Sequence, residues 1–557
     1  MSLGHLSHQL LEHPDVNAAI DALDSRSVAV PDLPLAARPA VAAAAISRHE
    51  GPALVVVSRA DRAETLAAAL GEYLPERAVT IWPALDALPY EQLPYDLQTA
   101  TERVALLDSL RATPAGAPAP VIVTPAHGLL QLLMPPADLA GATRVLRAGV
   151  RQTQDELIRW AAEHGYQLAP LVYEPGQLAR RGGIVDIFPP EADAPLRIDF
   201  FGDEIDSIRS FDPHSQRSRE RLRTVRLLPP SELALWRLPE AAAALRGLDD
   251  TDLRPEVRTE WRRMLEQMAM GQVPASVDLF APYLADSAAG LLDYLPANTR
   301  IVIDEPAAIK LIASQLEQQA RELCDAFVAN NELPVGLASP IASWQTVSAH
   351  LRKHHALLCG SDEATTGAAE IVLDIVDAPR FAGRLPEVVA AVRDRLDDGW
   401  RVTIATDQVD RLTELFESSD IFPMRDRRRE RHQLPSLLPP GTLEIRNSDI
   451  DSGWQSPECK LLLLADLELF GFRKQTRRAH RRRHGEAAPL ASALSSVMAW
   501  LTSRSRAYVS ARSTERAIQY RESATRASIS GPVPSCPCCR PPARSSRPAT
   551  RPPGPRG

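Results

Sequence analysis

The sequence predicts an α/β protein: a parallel sheet covered by helices, an inserted strand-rich α+β module, a smaller α/β domain and a disordered C-terminal tail. Three observations carry this. Short apolar runs alternate with helical periodicity over most of the chain. One stretch, Arg181 to Ser218, switches to period-two patterning with turn residues between its runs. From about Leu490 the periodicity is lost, and the sequence becomes rich in Ser, Arg and Pro. At 557 residues the chain is too long for one core. The boundaries are placed at 1–143 and 231–362 for the two parts of the first domain. The inserted module takes 144–230, the third domain 368–468 and the basic linker and tail 469–557.

In the first part, Leu54–Val57 reads as a strand after Gly51–Pro52, followed by a helical pattern through Leu66, Leu70 and Leu74. Val79–Trp82 and Val121–Val123 are further strands, and Val104, Leu107 and Leu110 mark a helix face between them. Nucleotide-binding sheets of this kind hold phosphate with a glycine-rich turn at a helix N-terminus and a lysine. The candidate place, Leu33 to Ala45 (LPLAARPAVAAAA), has neither residue, and G-x-x-x-x-G-K-[ST] occurs nowhere in the chain. The domain is therefore expected to be a degenerate P-loop-NTPase-like sheet that binds no ATP, needs no Mg and has no catalytic residues.

In the inserted module, Gly182–Gly183 opens the apolar run Ile184, Val185, Ile187 and Phe188, which Pro189–Pro190 closes. Leu196 to Phe201 alternates, with Leu196, Ile198 and Phe200 on one face and Arg197, Asp199 and Phe201 on the other. Gly202–Asp203 then turns the chain into Ile205–Phe211. An aromatic beside an arginine on an open strand face suits a protein contact. Residue chemistry alone favours Arg181 and Arg197 pairing with Asp186, Asp199 or Glu191 on their own sheet, and Phe201 packing under a helix. The spacer Glu191–Ala192–Asp193 reads as an exposed connection.

Further on, Arg300 to Pro306 (RIVIDEP) is a strand ending at Asp304–Glu305. It is either a metal-binding strand or, lacking a phosphate loop to serve, simply an acidic turn. In the third domain Ile371–Val376, Val402–Ala405 and Lys460–Ala465 are strands, with Leu385–Leu396 and Val409–Phe416 helical. The run Arg473–Arg483 supplies Arg473, Arg477, Arg478, Arg481, Arg482 and Arg483, either as a solvated linker or as a nucleic-acid contact. Cys536, Cys538 and Cys539 lack metal-ligand spacing, and the other cysteines are placed singly. No metal site is expected. The net charge of −8 gives the whole chain no electrostatic footprint for nucleic acid. No apolar run approaches a membrane span and no signal core is present, so a cytoplasmic protein without membrane contact is expected.

The 181–218 stretch resembles the bacterial transcription-repair coupling factor, whose N-terminal part is UvrB-like. The likeness extends to PALDALPYEQLPYDLQTATERVALL (Pro83 to Leu107), VIVTPAHGLLQLL (Val121 to Leu133), EPGQLARRGGIVDIFPP (Glu174 to Pro190), RIVIDEP and LLLLADLELFGFRK (Leu461 to Lys474), in the family's order and over about residues 30 to 475. It implies a UvrB-like, non-hydrolysing domain whose inserted module recruits the UvrA damage-recognition subunit through Arg181, Arg197 and Phe201. In the full-length family, a polymerase-binding domain and two ATP- and Mg-dependent motor domains follow, which bring RNA polymerase and DNA as partners. Residues 490–557 resemble nothing in the family and look like out-of-frame translation. The expectation is a coupling-factor fragment in transcription-coupled excision repair. The alternatives are an ATP-dependent translocase, disfavoured by the missing phosphate loop, or a frameshifted product without function.

Overall fold

The first strand comes earlier than the sequence pattern suggests. In the computed structural model, which describes residues 3–84, 89–90, 95–111, 118–360, 368–424 and 437–471, the chain begins with helices α1 (Gly4–Leu10) and α2 (Pro14–Ala22). It then enters β1 (Val28–Val30), a fully buried strand too short to show periodicity. The alanine-rich stretch is helix α3 (Arg38–Ser47), buried from Pro39 to Ile46. Small side chains let it lie close beneath α1. It thus starts one loop after β1, where a nucleotide-binding sheet would place its phosphate loop. β2 (Ala53–Val57), α4 (Ala60–Tyr73), β3 (Val79–Ile81), α5 (Leu97–Arg111) and β4 (Val121–Pro125) follow. Helix α4 turns Ala63, Leu66, Leu70 and Tyr73 inward at helical spacing.

The chain then leaves this sheet along β5 (Arg144–Arg147). The helix Gln154–Glu163 follows, started by a capping box between Thr153 and Glu156. Next come β6 (Gln167–Leu168), β7 (Gln177–Arg181), β8 (Ile184–Ile187), β9 (Leu196–Phe201), β10 (Glu204–Phe211) and β11 (Ser218–Leu222). They form one sheet in the order β11-β10-β9-β8-β7-β6, antiparallel except for β6 against β7. The module closes as β12 (Thr224–Leu227) pairs antiparallel with β5, so entry and exit strands lie side by side. Leu146, Leu157, Leu178, Val185, Ile187, Leu196, Ile198, Ile205 and Ile208 form its core.

The first sheet is completed by β13 (Arg300–Asp304), β14 (Ala356–Cys359) and β15 (Ala369–Glu370), in the all-parallel order β15-β1-β14-β13-β2-β4-β3. A third sheet joins β16 (Val376–Asp377), β17 (Arg401–Ala405), β18 (Leu443–Arg446), β19 (Trp454–Ser456) and β20 (Leu461–Ala465) in the order β16-β19-β20-β17-β18. The strand expected over Ile371–Val376 is not continuous. Its two ends pair with different sheets, β15 with β1 and β16 with β19. Between them Leu373 and Ile375 drop into the core that the sheets share. That core runs from Val28, Val55 and Val57 through α1, α3 and α4 to Ala405, Trp454, Leu461 and Leu463.

Candidate protein-docking face of the inserted module

The strand ends of the first sheet show what has become of its phosphate site. Arg38, at the start of α3, reaches Asp304 Oδ1 at 2.8 Å and Glu305 at 3.1 Å. Arg62 on α4 holds Asp304 Oδ2 at 2.7 Å. Asp304 is 2% exposed and both its oxygens are occupied by guanidinium groups. Between them, residues 31–37 contain no glycine or lysine. This donor set does not fit a magnesium–triphosphate, which would need a free carboxylate and a backbone cradle. Asp304 is the closing ion of a salt-bridge cluster.

A second grouping, His13, Asp15 and Glu458, brings its ligand atoms within 4.8 Å of one another. His13 Nδ1 accepts the backbone N–H of Asp15 at 3.1 Å, capping α2. The ring proton therefore sits on Nε2, 2.9 Å from Glu458. A protonated nitrogen cannot ligate a metal, so this is a helix cap whose other ring nitrogen faces Glu458.

The module presents a different kind of surface. Cross-strand pairing places Arg181 opposite Ile184 and Ile184 opposite Asp199, while Phe201 stands opposite Glu204. Arg181, Arg197 and Phe201 thus share the face turned away from the core, as the alternation of Leu196–Phe201 predicts for Arg197 and Phe201. Their circumstances differ. Phe201 caps the β9–β10 hairpin at 84% exposure, the highest of any large apolar side chain among the described residues. Gly202 beside it takes φ +59°, which the tight turn requires. Arg181 ends β7 and is exposed, with no ion pair among the described residues. Both stand at the same end of the sheet, where the β7–β8 and β9–β10 turns lie side by side and Phe200 N–H donates to Gly183 O at 2.8 Å.

Arg197 is bound into the sheet. Its Nε and Nη2 donate to the two oxygens of Asp186 at 2.7 and 2.8 Å, and Nη1 donates to Gln216 O at 3.2 Å. The guanidinium lies 4.5 Å from the Phe211 ring centre. Its bonds to Asp186 raise its pKa further above the ordinary arginine value. With Asp186 only 1% exposed, this bidentate pair is a brace beneath the face.

One residue that the sequence presents as exposed is not. Both carboxylate oxygens of Glu191 are out of water. Burial, aided by nearby Asp108, pushes its pKa up to about 7 against the pull of Arg226. The paired prolines before it tuck the spacer against the module's junction with α5, where Arg226 meets Asp108 at 2.6 Å. The arginines from 473 to 483 and Cys536, Cys538 and Cys539 lie outside the described residues. Among the described residues no helix is long and apolar enough to cross a membrane.

A mainly antiparallel module, inserted between strands of a parallel sheet, displays an aromatic on a braced hairpin. Residues 145–233 match the family described as the UvrB interaction domain. The chain is also similar to transcription-repair-coupling factors. It is 23% identical over 447 residues to that of Bacillus subtilis (strain 168), a match covering 78% of this chain and 37% of the relative. With the Mycobacterium bovis factor it shares 28% over 458 residues, covering 77% and 36%. With the Escherichia coli (strain K12) factor it shares 30% over 260 residues, covering 46% and 22%. The chain therefore carries a UvrB interaction domain and resembles the coupling factors over most of its length, while spanning little more than a third of theirs.

Proposed function

We propose that the chain serves transcription-coupled excision repair as the N-terminal portion of a coupling factor, recruiting the UvrA subunit through the module at 145–233. The exposure of Phe201 carries the reading. A phenyl ring held in water on a rigid hairpin is costly unless a partner covers it, and its burial is worth roughly 2–3 kcal/mol. Arg181, with no ion pair among the described residues, supplies charge-assisted contacts beside it. Arg197 acts through Asp186 by holding the strands that aim Phe201, so it is a positioning residue.

The reading assigns this chain no ATP turnover. Arg38 and Arg62 already satisfy Asp304, the acid a nucleotide-bound magnesium would require, and the loop before α3 offers no phosphate cradle. ATP hydrolysis by the purified chain above the blank, with or without DNA, would overturn that assignment. Docking is tested by capture of purified UvrA on the immobilised chain. Phe201→Ala and Arg181→Ala should each lose capture while keeping the wild-type urea midpoint. Arg197→Ala should lose capture and lower the midpoint together. Unchanged capture by both Phe201→Ala and Arg181→Ala would sink the site.

A further inference from the structure

The outer face of the module carries more positive charge than its own acids balance. Arg197, Arg209 and Arg221 lie in one cross-strand row over β9, β10 and β11. Like charges directly opposite one another oppose sheet formation, and two of the three are compensated. Asp186 holds Arg197 at 2.7 Å and Asp199 holds Arg209 at 2.5 Å. A third acid, Asp212, takes Arg219. Arg221 ends the row on the edge strand and is exposed, and among the described residues no ion pair reaches it, Arg217 or Arg223. Arg217, Arg219, Arg221 and Arg223 crowd seven residues of this edge and are all exposed, with a register shift between Ser218 and Arg221 and a bend at Arg223.

One or two charges are enough to guard a sheet edge against pairing with another chain. Four arginines in seven residues exceed that need. The character of the edge also differs from that of the Phe201 end. Its remaining exposed residues are Ser218, Glu220 and Thr224, with no apolar anchor of the kind a protein interface is built around. Arginines interleaved with hydroxyls suit phosphate oxygens. We infer that the β11 edge, through Arg217, Arg221 and Arg223, contacts the phosphate backbone of a nucleic-acid duplex without reading its sequence. The overall negative charge of the chain conceals this local stripe.

The test uses the full chain and a fluorescein-labelled DNA duplex of random sequence, with affinity measured across a salt series. Each phosphate neutralised contributes about 0.9 to the slope of log affinity against log salt, so removing three contacts should flatten it by about 2.7. The triple variant Arg217→Ala, Arg221→Ala, Arg223→Ala is expected to show that loss. The triple lysine variant keeps the charge and should keep most of the slope, which separates lost contacts from lost folding. Phe201→Ala should leave the slope unchanged, so this surface and the docking reading can fail independently. Three results would overturn the inference: no duplex binding by the wild-type chain, an unchanged slope in the triple alanine variant, or an alanine variant that loses UvrA capture while its duplex slope stays intact. The last would reassign the edge to an acidic protein partner.

Discussion

Among single residues, the buried charges make the sharpest predictions. Replacing Asp304 by Ala leaves Arg62 without its acid and Arg38 with Glu305 alone. Breaking a buried pair by removing one partner costs on the order of 3–5 kcal/mol, and a fall of that size in urea-unfolding free energy is expected. Asp304→Ala with an unchanged midpoint would show that the cluster contributes nothing. Two groups give stability opposite pH limbs. His5 is buried against Thr403, Glu444, Arg446 and His8, and its pKa falls from 6.5 to about 3, through desolvation first and Arg446 second. The unfolded chain takes up a proton below pH 6.5 that the folded chain refuses. This contribution is whole above pH 6.5 and is lost as pH falls toward 3, by up to about 1.4 kcal/mol per unit. Glu191 runs the other way. The folded carboxyl keeps its proton up to about pH 7, whereas its ordinary value is 4.5. Its contribution is whole below pH 4.5 and is lost as pH rises to 7. Urea midpoints across pH should therefore peak between the two limbs. His5→Gln should flatten the acid limb and Glu191→Gln the upper one.

At the scale of elements, what the sequence discloses follows from how much periodicity a segment can hold. The hairpin β9–β10 is readable because six alternating residues, a Gly–Asp turn and a returning run all agree, and the structure places Phe201 on the outer face as the alternation requires. β1 is hidden because three residues cannot display a period. Its recognition would have needed the loop that leads to α3. Residues 371–375 alternate like a strand, yet past the bond from Ile371 N–H to Ala29 O they join no sheet, since the same alternation serves a connector crossing between two cores. Arg197 shows the limit for sites. Its face was legible, but whether its guanidinium meets Asp186 or solvent depends on β8 lying alongside β9, which is a tertiary fact. Glu191 misleads for the same reason, because an acidic spacer between prolines reads as exposed until α5 packs over it. Close packing also makes β19 and β20 sensitive at one glycine. A Cβ on Gly453 would lie 2.1 Å from Leu463 O, a distance that backbone cannot yield without parting the strands. Gly453→Ala should unpair β19 and expose Trp454, read as a red shift and loss of structure in tryptophan fluorescence. An unshifted native spectrum would contradict this.

For the molecule as a whole, the N-terminal helices decide how its parts move. Leu3, Leu6, Leu10, Val16 and Ile20 enter the core that the first and third sheets share. Polar pins fix the same segment to both. Leu3 N–H donates to Glu72 O at 2.8 Å on the side of the first sheet. Gln9 donates to Leu438 O at 3.1 Å, and His13 meets Glu458, on the side of the third. Directly between the sheets, Glu72 accepts from Ser448 Oγ at 2.5 Å and from Asp449 N–H at 2.9 Å. Trp454 Nε1 donates to Tyr73 at 3.3 Å. A linker between independent domains would show few such crossings. Here the apolar core is continuous, so the two sheets should unfold as one cooperative unit, although the inserted module has its own core. Leu10→Ala, a fully buried truncation costing roughly 2–5 kcal/mol, therefore tests the coupling. Native-state hydrogen exchange should accelerate together in β1, β14, β17 and β20, while β8 and β9 of the module keep their protection. Faster exchange confined to the first sheet would mean that the third is an independent domain leaning on its neighbour. The docking face would then ride on a mobile support, not on a rigid one.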